Sequence, residues 1–183
     1  PFDDGPDPRW TPQILDVLKQ KNVRASFFII GENAGSNPDL VRREVAEGHD
    51  VGNHSFTHPN LSILPESLIK LELDSTRKLF ESITNRSMRL FRPPYLGDAD
   101  PTTYDQIEPV RIAQNMGFIT VGLRIDPDDW QQPGVQTIIN ETIKQIESTD
   151  EDVTGHIVLL HDSGGDRSQT LAALPVLIDT LRA

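Results

Sequence analysis

The chain of 183 residues is long enough to bury the core of one domain and too short for two comfortable ones, so we expect a single domain spanning residues 1–183. Its composition is that of a globular protein, with 36% apolar and 25% charged residues. A formal net charge of −11 argues against a nucleic-acid-binding protein, because phosphate contacts require clustered Lys and Arg. The absence of cysteine excludes disulfides and thiolate metal sites.

Helices and short apolar strands alternate along the sequence, as judged from apolar spacing and from the Gly, Pro and Asn residues at their ends. In chain order the predicted elements are a helix over 11–21, a strand over 25–30, a helix over 37–48, a strand over 50–52, a helix over 65–83, a strand over 88–91, a helix over 107–116, a strand over 118–123, a helix over 135–146, a strand over 156–160 and a helix over 168–181. This alternation predicts an α/β fold with a mostly parallel sheet, either a closed barrel or an open sheet.

Unusual polar segments follow four of the predicted strands, at residues 53–58, 92–95, 126–130 and 161–162. Parallel strands place their carboxyl ends on one face of a barrel or along one edge of an open sheet. We therefore expect these segments to converge on one site. His49 and His156 lie away from these segments, and we assign them structural roles.

Two histidines and two adjacent carboxylates suggest a metal site. His54 and His58 are four residues apart, a spacing that on a helix places both imidazoles on one face, within reach of one ion. The alternative is a pair of surface histidines at a helix start capped by Asn53. Asp3 and Asp4 precede Gly-Pro, which alone is ordinary turn chemistry. Two adjacent carboxylates can also have different roles, in which one binds a metal and the other acts as a base.

Four further residues suit catalysis or sugar binding. His161 ends a very apolar strand, where full burial of a histidine is costly, which favours a place at a pocket mouth and acid–base chemistry. Arg92 can orient a carboxylate, and the Pro-Pro-Tyr that follows can hold the Tyr95 amide toward an oxyanion; the alternative is a rigid loop with an ordinary salt bridge. Trp130 follows three carboxylates and forms either a wall for a sugar ring or the anchor of a solvated acidic loop.

In their order along the chain, these segments resemble the five motifs of the NodB-homology polysaccharide deacetylases, carbohydrate esterase family four. The matching segments are PFDDGP at residues 1–6, HSFTH at 54–58, RPPY at 92–95, DPDDW at 126–130 and LHD at 160–162. The resemblance therefore covers nearly the whole chain, and five motifs in register make it specific.

The resemblance implies a role for each matched position. The implied ligands of a divalent metal, zinc foremost but cobalt, manganese, nickel or iron in other members, are Asp4, His54 and His58. The implied catalytic groups are Asp3 as general base, His161 as general acid, Arg92 orienting Asp3, Asp129 tuning His161 and the Tyr95 amide facing the oxyanion. The implied substrate-binding residues are Tyr95, Trp130 and Leu160.

The family likeness also implies a distorted (β/α) barrel and an enzyme that removes N-acetyl groups from N-acetylglucosamine-containing polysaccharide or oligosaccharide, with release of acetate. The family's first strand normally runs into the Phe-Asp-Asp segment; here it is missing and Pro1 stands where Thr is usual, so we expect a truncated first strand. The alternatives are an O-acetyl esterase acting on xylan-type polymers, a catalytically silent glycan-binding domain and a metal-free imide hydrolase of the same superfamily.

A narrower likeness concerns residues 92–99, 126–130 and 161–168. These stretches look like a bacterial subgroup in which the deacetylase domain is joined to a membrane-associated glycosyltransferase. That resemblance implies a domain facing the cell exterior or the cell envelope. The sequence opens directly on its first motif, so we expect it to be part of a longer protein.

Overall fold

The fold is built on a parallel sheet flanked by helices. The structure, a computed structural model, describes residues 1–95, 103–148 and 157–182, so His156 and residues 96–99 of the narrower resemblance lie outside the described residues. The strands are β1 (Phe2–Asp3), β2 (Ser26–Ile29), β3 (Asp50–Asn53), β4 (Leu90–Phe91), β5 (Ile119–Thr120) and β6 (Leu160–His161). The α-helices in these ranges are α1 (Thr11–Lys21), α2 (Gly31–Ser36), α3 (Pro38–Ala46), α4 (Glu66–Thr84), α5 (Tyr104–Asn115), α6 (Val135–Glu147) and α7 (Ser168–Arg182).

The six strands form one sheet in the order β5-β4-β3-β2-β1-β6, and every neighbouring pair is parallel. The first strand, expected to be truncated, has two residues, yet it pairs on both sides and is buried. Asp3 lies opposite Phe28 of β2 and opposite His161 of β6. The register thus brings a residue from the first motif beside one from the last.

The two edges of the sheet approach each other through an additional contact. Ile125, in the chain that follows β5, forms a parallel bridge with Val158, in the chain that leads into β6. The Leu159 amide donates to the Ile125 carbonyl, and the Ile125 amide donates to the Ile157 carbonyl. The sheet therefore curls until its edges are bridged, which agrees with the distorted barrel that the resemblance implied.

The segment that carries His54 and His58 is a loop, so the helix on which their spacing was interpreted is not formed. Ser55 and His58 have φ values of 66° and 59°, in the left-handed region that a right-handed helix does not use. Two amides of this loop donate to the Glu72 carboxylate on α4, an acceptor outside the loop. Asn53, which was predicted to cap the helix, ends β3 and instead accepts a hydrogen bond from the Ser55 amide.

The other predicted helices are present, α1 with the predicted bounds and the rest with ends shifted by a few residues. One helix was missed, because α2 begins at the glycine that was predicted only to stop the preceding strand. Apart from β3, which has four residues against the three predicted, the strands are shorter than the apolar runs predicted. In particular, β5 keeps two residues of the predicted 118–123, and β6 starts where the predicted strand 156–160 was to end.

Apolar side chains between the sheet and the helices hold the first strand in place. The Phe2 and Phe27 rings stack with centroids 5.1 Å apart, and Leu15 and Leu18 of α1 are fully buried. Each such side chain stabilises the fold by about 1.5–3 kcal/mol on burial, so a two-residue strand can be held firmly. None of the helices in the described ranges is both long enough and apolar enough to cross a membrane.

Candidate active site

A cavity of about 330 Å³ brings together residues from all five sequence segments. Its lining residues are Asp3, Asp4, His54, His58, Pro93, Tyr95, Leu123, Asp126, Asp128, Trp130, Leu159, His161, Gly164 and Arg167. The segments follow different strands of the parallel sheet, and their meeting point is set by the shared direction of the strands.

Asp3 and Arg92 form a buried ion pair beside this cavity. Arg92 Nη1 donates to Asp3 Oδ1 over 2.8 Å, and neither side chain is more than 4% exposed. The other guanidinium nitrogens donate to the carbonyls of Val121 and Gly122, so Arg92 is fixed on every side. Asp3 Oδ2 lies 3.8 Å from His54 Nε2. One oxygen of Asp3 is therefore anchored, while the other faces the histidines.

Asp4, His54 and His58 form a compact set of possible metal ligands. Asp4 Oδ1 lies 3.5 Å from His54 Nε2 and 3.2 Å from His58 Nε2. One ligand atom from each residue lies within 4.8 Å of the other two. A tetrahedral ion with bonds of about 2.1 Å separates its ligands by about 3.4 Å, so this set can share one ion.

The surroundings of Asp4 and His58 favour the forms of these side chains that bind a cation. For His54, burial alone would lower the pKa, but the charges of Asp3 and Asp4 outweigh it and raise the pKa. His54 Nδ1 lies 2.9 Å from the Arg92 carbonyl, which can only accept, so Nδ1 carries a hydrogen and Nε2 is the nitrogen that faces Asp4. Burial alone would raise the pKa of Asp4, but the hydrogen bond from His54 and the charges of three histidines lower it to about 2. Burial and the neighbouring His54 lower the pKa of His58, which favours its neutral, ligating form.

His161 is paired with Asp129 on the other side of β1. His161 Nδ1 lies 2.7 Å from Asp129 Oδ1, and Asp129 Oδ2 accepts hydrogen bonds from the His161 amide and from Thr170 Oγ1. Burial alone would lower the pKa of His161, but the hydrogen bond and the charge of Asp129 outweigh it and raise the pKa to about 9. His161 is therefore protonated at neutral pH and has Nε2 left for a substrate.

The walls of the cavity differ in one respect from the sequence-based expectation. Tyr95 and Trp130 line it and are 66% and 51% exposed. Leu160, predicted to line the groove, packs in the hydrophobic core, and Leu159 lines the cavity instead. Successive residues of an extended chain face opposite sides, so Leu159 and His161 share the cavity side while Leu160 points away.

One residue of the fifth motif was given no role from the sequence but holds the site together. Asp162 is fully buried; its carboxylate accepts a hydrogen bond from Thr11 Oγ1, which accepts from the Asp7 amide. The Asp162 amide donates to the Asp3 carbonyl over 3.1 Å. A Cβ on Gly5 would lie 2.3 Å from the Asp162 carboxylate, so the loop can lie this close to Asp162 only because residue 5 is glycine. Asp162 therefore fixes the loop that carries both N-terminal carboxylates, and its place directly after a strand end was the available signal.

Replacing Asp162 by asparagine is expected to make stability less dependent on pH. Burial raises the pKa of Asp162 from 3.8 to about 7. A carboxyl group with a raised folded-state pKa stabilises the fold fully below pH 4 and loses that contribution as the pH rises through about 7. The difference in unfolding free energy between Asp162→Asn and wild type should therefore move in favour of the variant from pH 5 to pH 8 in urea titrations. A constant difference would contradict the raised pKa.

The chain is similar to known polysaccharide deacetylases. A model of the polysaccharide deacetylase family matches residues 1–118. A peptidoglycan-N-acetylglucosamine deacetylase of Bacillus cereus is 40% identical, over 99% of this chain and 79% of its own length. A chitooligosaccharide deacetylase of Sinorhizobium fredii is 36% identical, over 98% of this chain and 83% of its own.

Solved structures of polysaccharide deacetylases superimpose on this chain. The Bc1960 peptidoglycan N-acetylglucosamine deacetylase, crystallised with 4-naphthalen-1-yl-N-oxidanyl-benzamide, superimposes with a TM-score of 0.86 and 33% identity. The matched region covers 99% of this chain and 79% of that one. With motifs, fold and relatives in agreement, the chain belongs to the polysaccharide deacetylase family.

Proposed function

We propose that this chain hydrolyses N-acetyl groups of N-acetylglucosamine-containing glycans and does so with a zinc ion held by Asp4, His54 and His58. The observation that carries the proposal is one cavity lined by a possible three-ligand metal set, by Asp3, which pairs with Arg92, and by His161, which pairs with Asp129. The curated relatives, named as deacetylases of peptidoglycan or of chitooligosaccharides, support the same reaction.

The ligand set fits zinc better than a purely oxygen-seeking cation. Two imidazole nitrogens and one carboxylate oxygen make the three-ligand set typical of catalytic zinc, which leaves a position for water or substrate. Magnesium and calcium prefer oxygen ligands, which this set lacks in number. When bound, such an ion acts as a Lewis acid toward a carbonyl group and makes water more acidic.

In this proposal Asp3 acts as the general base. Arg92 holds its Oδ1, so Oδ2 is left to accept a proton from the attacking water. The pair also keeps Asp3 from serving as a freely moving fourth ligand, because the carboxylate is fixed by a buried guanidinium. The two adjacent aspartates thus have separate tasks: Asp4 binds and Asp3 takes the proton.

In this proposal His161 acts as the general acid. Its raised pKa keeps a proton available at neutral pH, and the pairing of Nδ1 with Asp129 leaves Nε2 as the donor toward the cavity. Protonation of the departing nitrogen releases acetate and a free amino sugar. The Tyr95 amide is our candidate donor to the oxyanion, and Trp130 our candidate wall for the sugar ring.

Acetate release from N-acetylglucosamine oligomers tests this function. Protein treated with a chelator should release no acetate, and added zinc should restore release, with cobalt as a second metal. His58→Ala should bind zinc weakly and show no restoration, whereas His49→Ala, altered at a histidine away from the cavity, serves as the matched control. Release from O-acetylated xylan but not from the oligomers would instead identify an esterase. No release from either substrate by folded, zinc-loaded protein would favour a glycan-binding domain.

We further propose that the natural substrate is a cell-envelope glycan reached from the outer side of a bacterial membrane. The naming of one relative as a peptidoglycan deacetylase supports an envelope polymer. Protease accessibility of the chain in intact cells, compared with a cytoplasmic marker, tests the location. Protection equal to the marker would contradict it. The fusion to a glycosyltransferase stays a prediction from the narrower resemblance.

A further inference from the structure

Arg167 is a buried cation in the cavity wall to which no motif assigns a task. It lies between β6 and α7, just before the first residue of that helix, and only 3% of it is exposed. It lines the cavity together with Gly164. Among the cavity-lining residues of the described ranges, Arg167 is the one Lys or Arg side chain, whereas carboxylates are frequent there.

The guanidinium of Arg167 is only partly satisfied by the protein. Its Nε donates to the Ser163 carbonyl over 2.6 Å. Its Nη1 is buried and has no hydrogen-bond partner in the part of the chain that the structure describes, and Arg167 forms no ion pair there. The neighbouring Asp166 accepts instead from the Ser168 amide. A buried guanidinium with unmet donors is destabilising, so a gain on ligand binding is the physical reason for such an arrangement.

Glycine at position 164 keeps Arg167 and a metal ligand facing the same space. Gly164 has a φ of 78°, in the left-handed region. A Cβ added there would lie 2.9 Å from Asp4 Oδ2 and 3.4 Å from Arg167 Nη2. The Asp4 carboxylate and the Arg167 guanidinium therefore both lie close to the space that a side chain at position 164 would fill. Because position 164 is glycine, no side chain occupies that space.

We propose that Arg167 binds the glycan itself, donating hydrogen bonds to a hydroxyl or acetamide oxygen of a sugar unit in the cavity. Sugar hydroxyl and acetamide oxygens are acceptors that a guanidinium satisfies, and Trp130 in the same cavity offers an apolar face to a sugar ring. The inference rests on the proposed glycan substrate but concerns binding, so it does not depend on turnover.

Binding of an N-acetylglucosamine pentamer to the chelator-treated protein tests the proposal directly. Calorimetry should give a Kd at least about tenfold higher for Arg167→Met than for wild type, because a hydrogen bond from a charged donor is lost. Arg167→Lys, which keeps the charge, should recover part of the loss. Arg86→Met, at an exposed position outside the cavity, is the matched control and should bind as wild type does. Equal affinity of Arg167→Met and wild type, or no pentamer binding by wild type, would overturn the proposal.

Steady-state kinetics of the zinc-loaded enzyme separates glycan binding from a structural role. Loss of glycan binding should appear mainly in KM for the pentamer. A loop that merely needs Arg167 to hold its shape would lower kcat and weaken cobalt binding at Asp4, and that pattern overturns the proposal. Wild-type protein that binds the pentamer but releases no acetate would contradict the proposed function alone, since the binding comparison still decides the role of Arg167.

Discussion

Replacing Asp3 by asparagine is expected to lower kcat for glycan deacetylation by about 10²- to 10⁴-fold, the range typical of a lost general base. The amide keeps the shape of the carboxylate, and its oxygen can still accept from Arg92 Nη1, so the buried guanidinium keeps a partner. It cannot take a proton from water at neutral pH. Metal binding should persist, because Asp4 and both histidines are unchanged.

Two measurements together distinguish a role of Asp3 as the base from a role as a metal ligand. Acetate release gives kcat, and calorimetric titration with zinc gives the affinity of the ligand set. Asp39→Asn removes an exposed carboxylate on α3 and serves as the matched control, with unchanged kcat and zinc affinity. An Asp3→Asn enzyme that turns over normally would remove Asp3 from the mechanism. One that loses zinc along with activity would make Asp3 a ligand instead of a base.

Replacing Asp129 by asparagine should lower kcat about 10²-fold or more and move the alkaline limb of the kcat–pH profile to lower pH. Against the effect of burial, Asp129 raises the pKa of His161 to about 9 through its hydrogen bond and its charge. The acid works only while it is protonated, so its activity is complete below the pKa and is lost as the pH rises through it. Without the carboxylate charge, that loss must begin at lower pH.

The control for this variant is Thr170→Val, which removes one hydrogen bond to Asp129 Oδ2 but keeps the carboxylate charge. Its alkaline limb should move much less than that of Asp129→Asn. A limb that stays in place in Asp129→Asn would contradict the pairing as the cause of the raised pKa. The comparison requires kcat measured from pH 5 to pH 10 for both variants and the wild type at the same ionic strength.

Most of the fold was predictable because the apolar periodicities of this chain are clear. Helix α1 has the predicted bounds, and α4, α6 and α7 differ from prediction only at their ends. The strand lengths were not predictable, because an apolar run shows that residues are buried but not which of them pair. The missed helix α2 has only six residues and contains two glycines, so it carries no helical apolar pattern.

The residues of the site were found more reliably than their geometry. The spacing of His54 and His58 suggested a helix, but a loop with two left-handed residues brings the same imidazole rings to 5.0 Å. Glu72, which accepts from two amides of that loop, is distant in sequence and so gave no signal. Leu160 was assigned to the groove from the family resemblance, whereas the alternation of side chains along the strand places Leu159 and His161 on the cavity side.

The pairing of β1 with β6 also determines when the site can exist. Asp3 and His161 are neighbours across two strands but stand near opposite ends of the chain. Contacts between residues so distant in sequence carry a large loop-closure cost and form late in folding. During synthesis, the segments with Asp4, His54 and His58 leave the ribosome long before His161 and Asp162 do. The proposed metal ligands are therefore synthesised before the proposed acid, and the site is complete only when β6 pairs with β1.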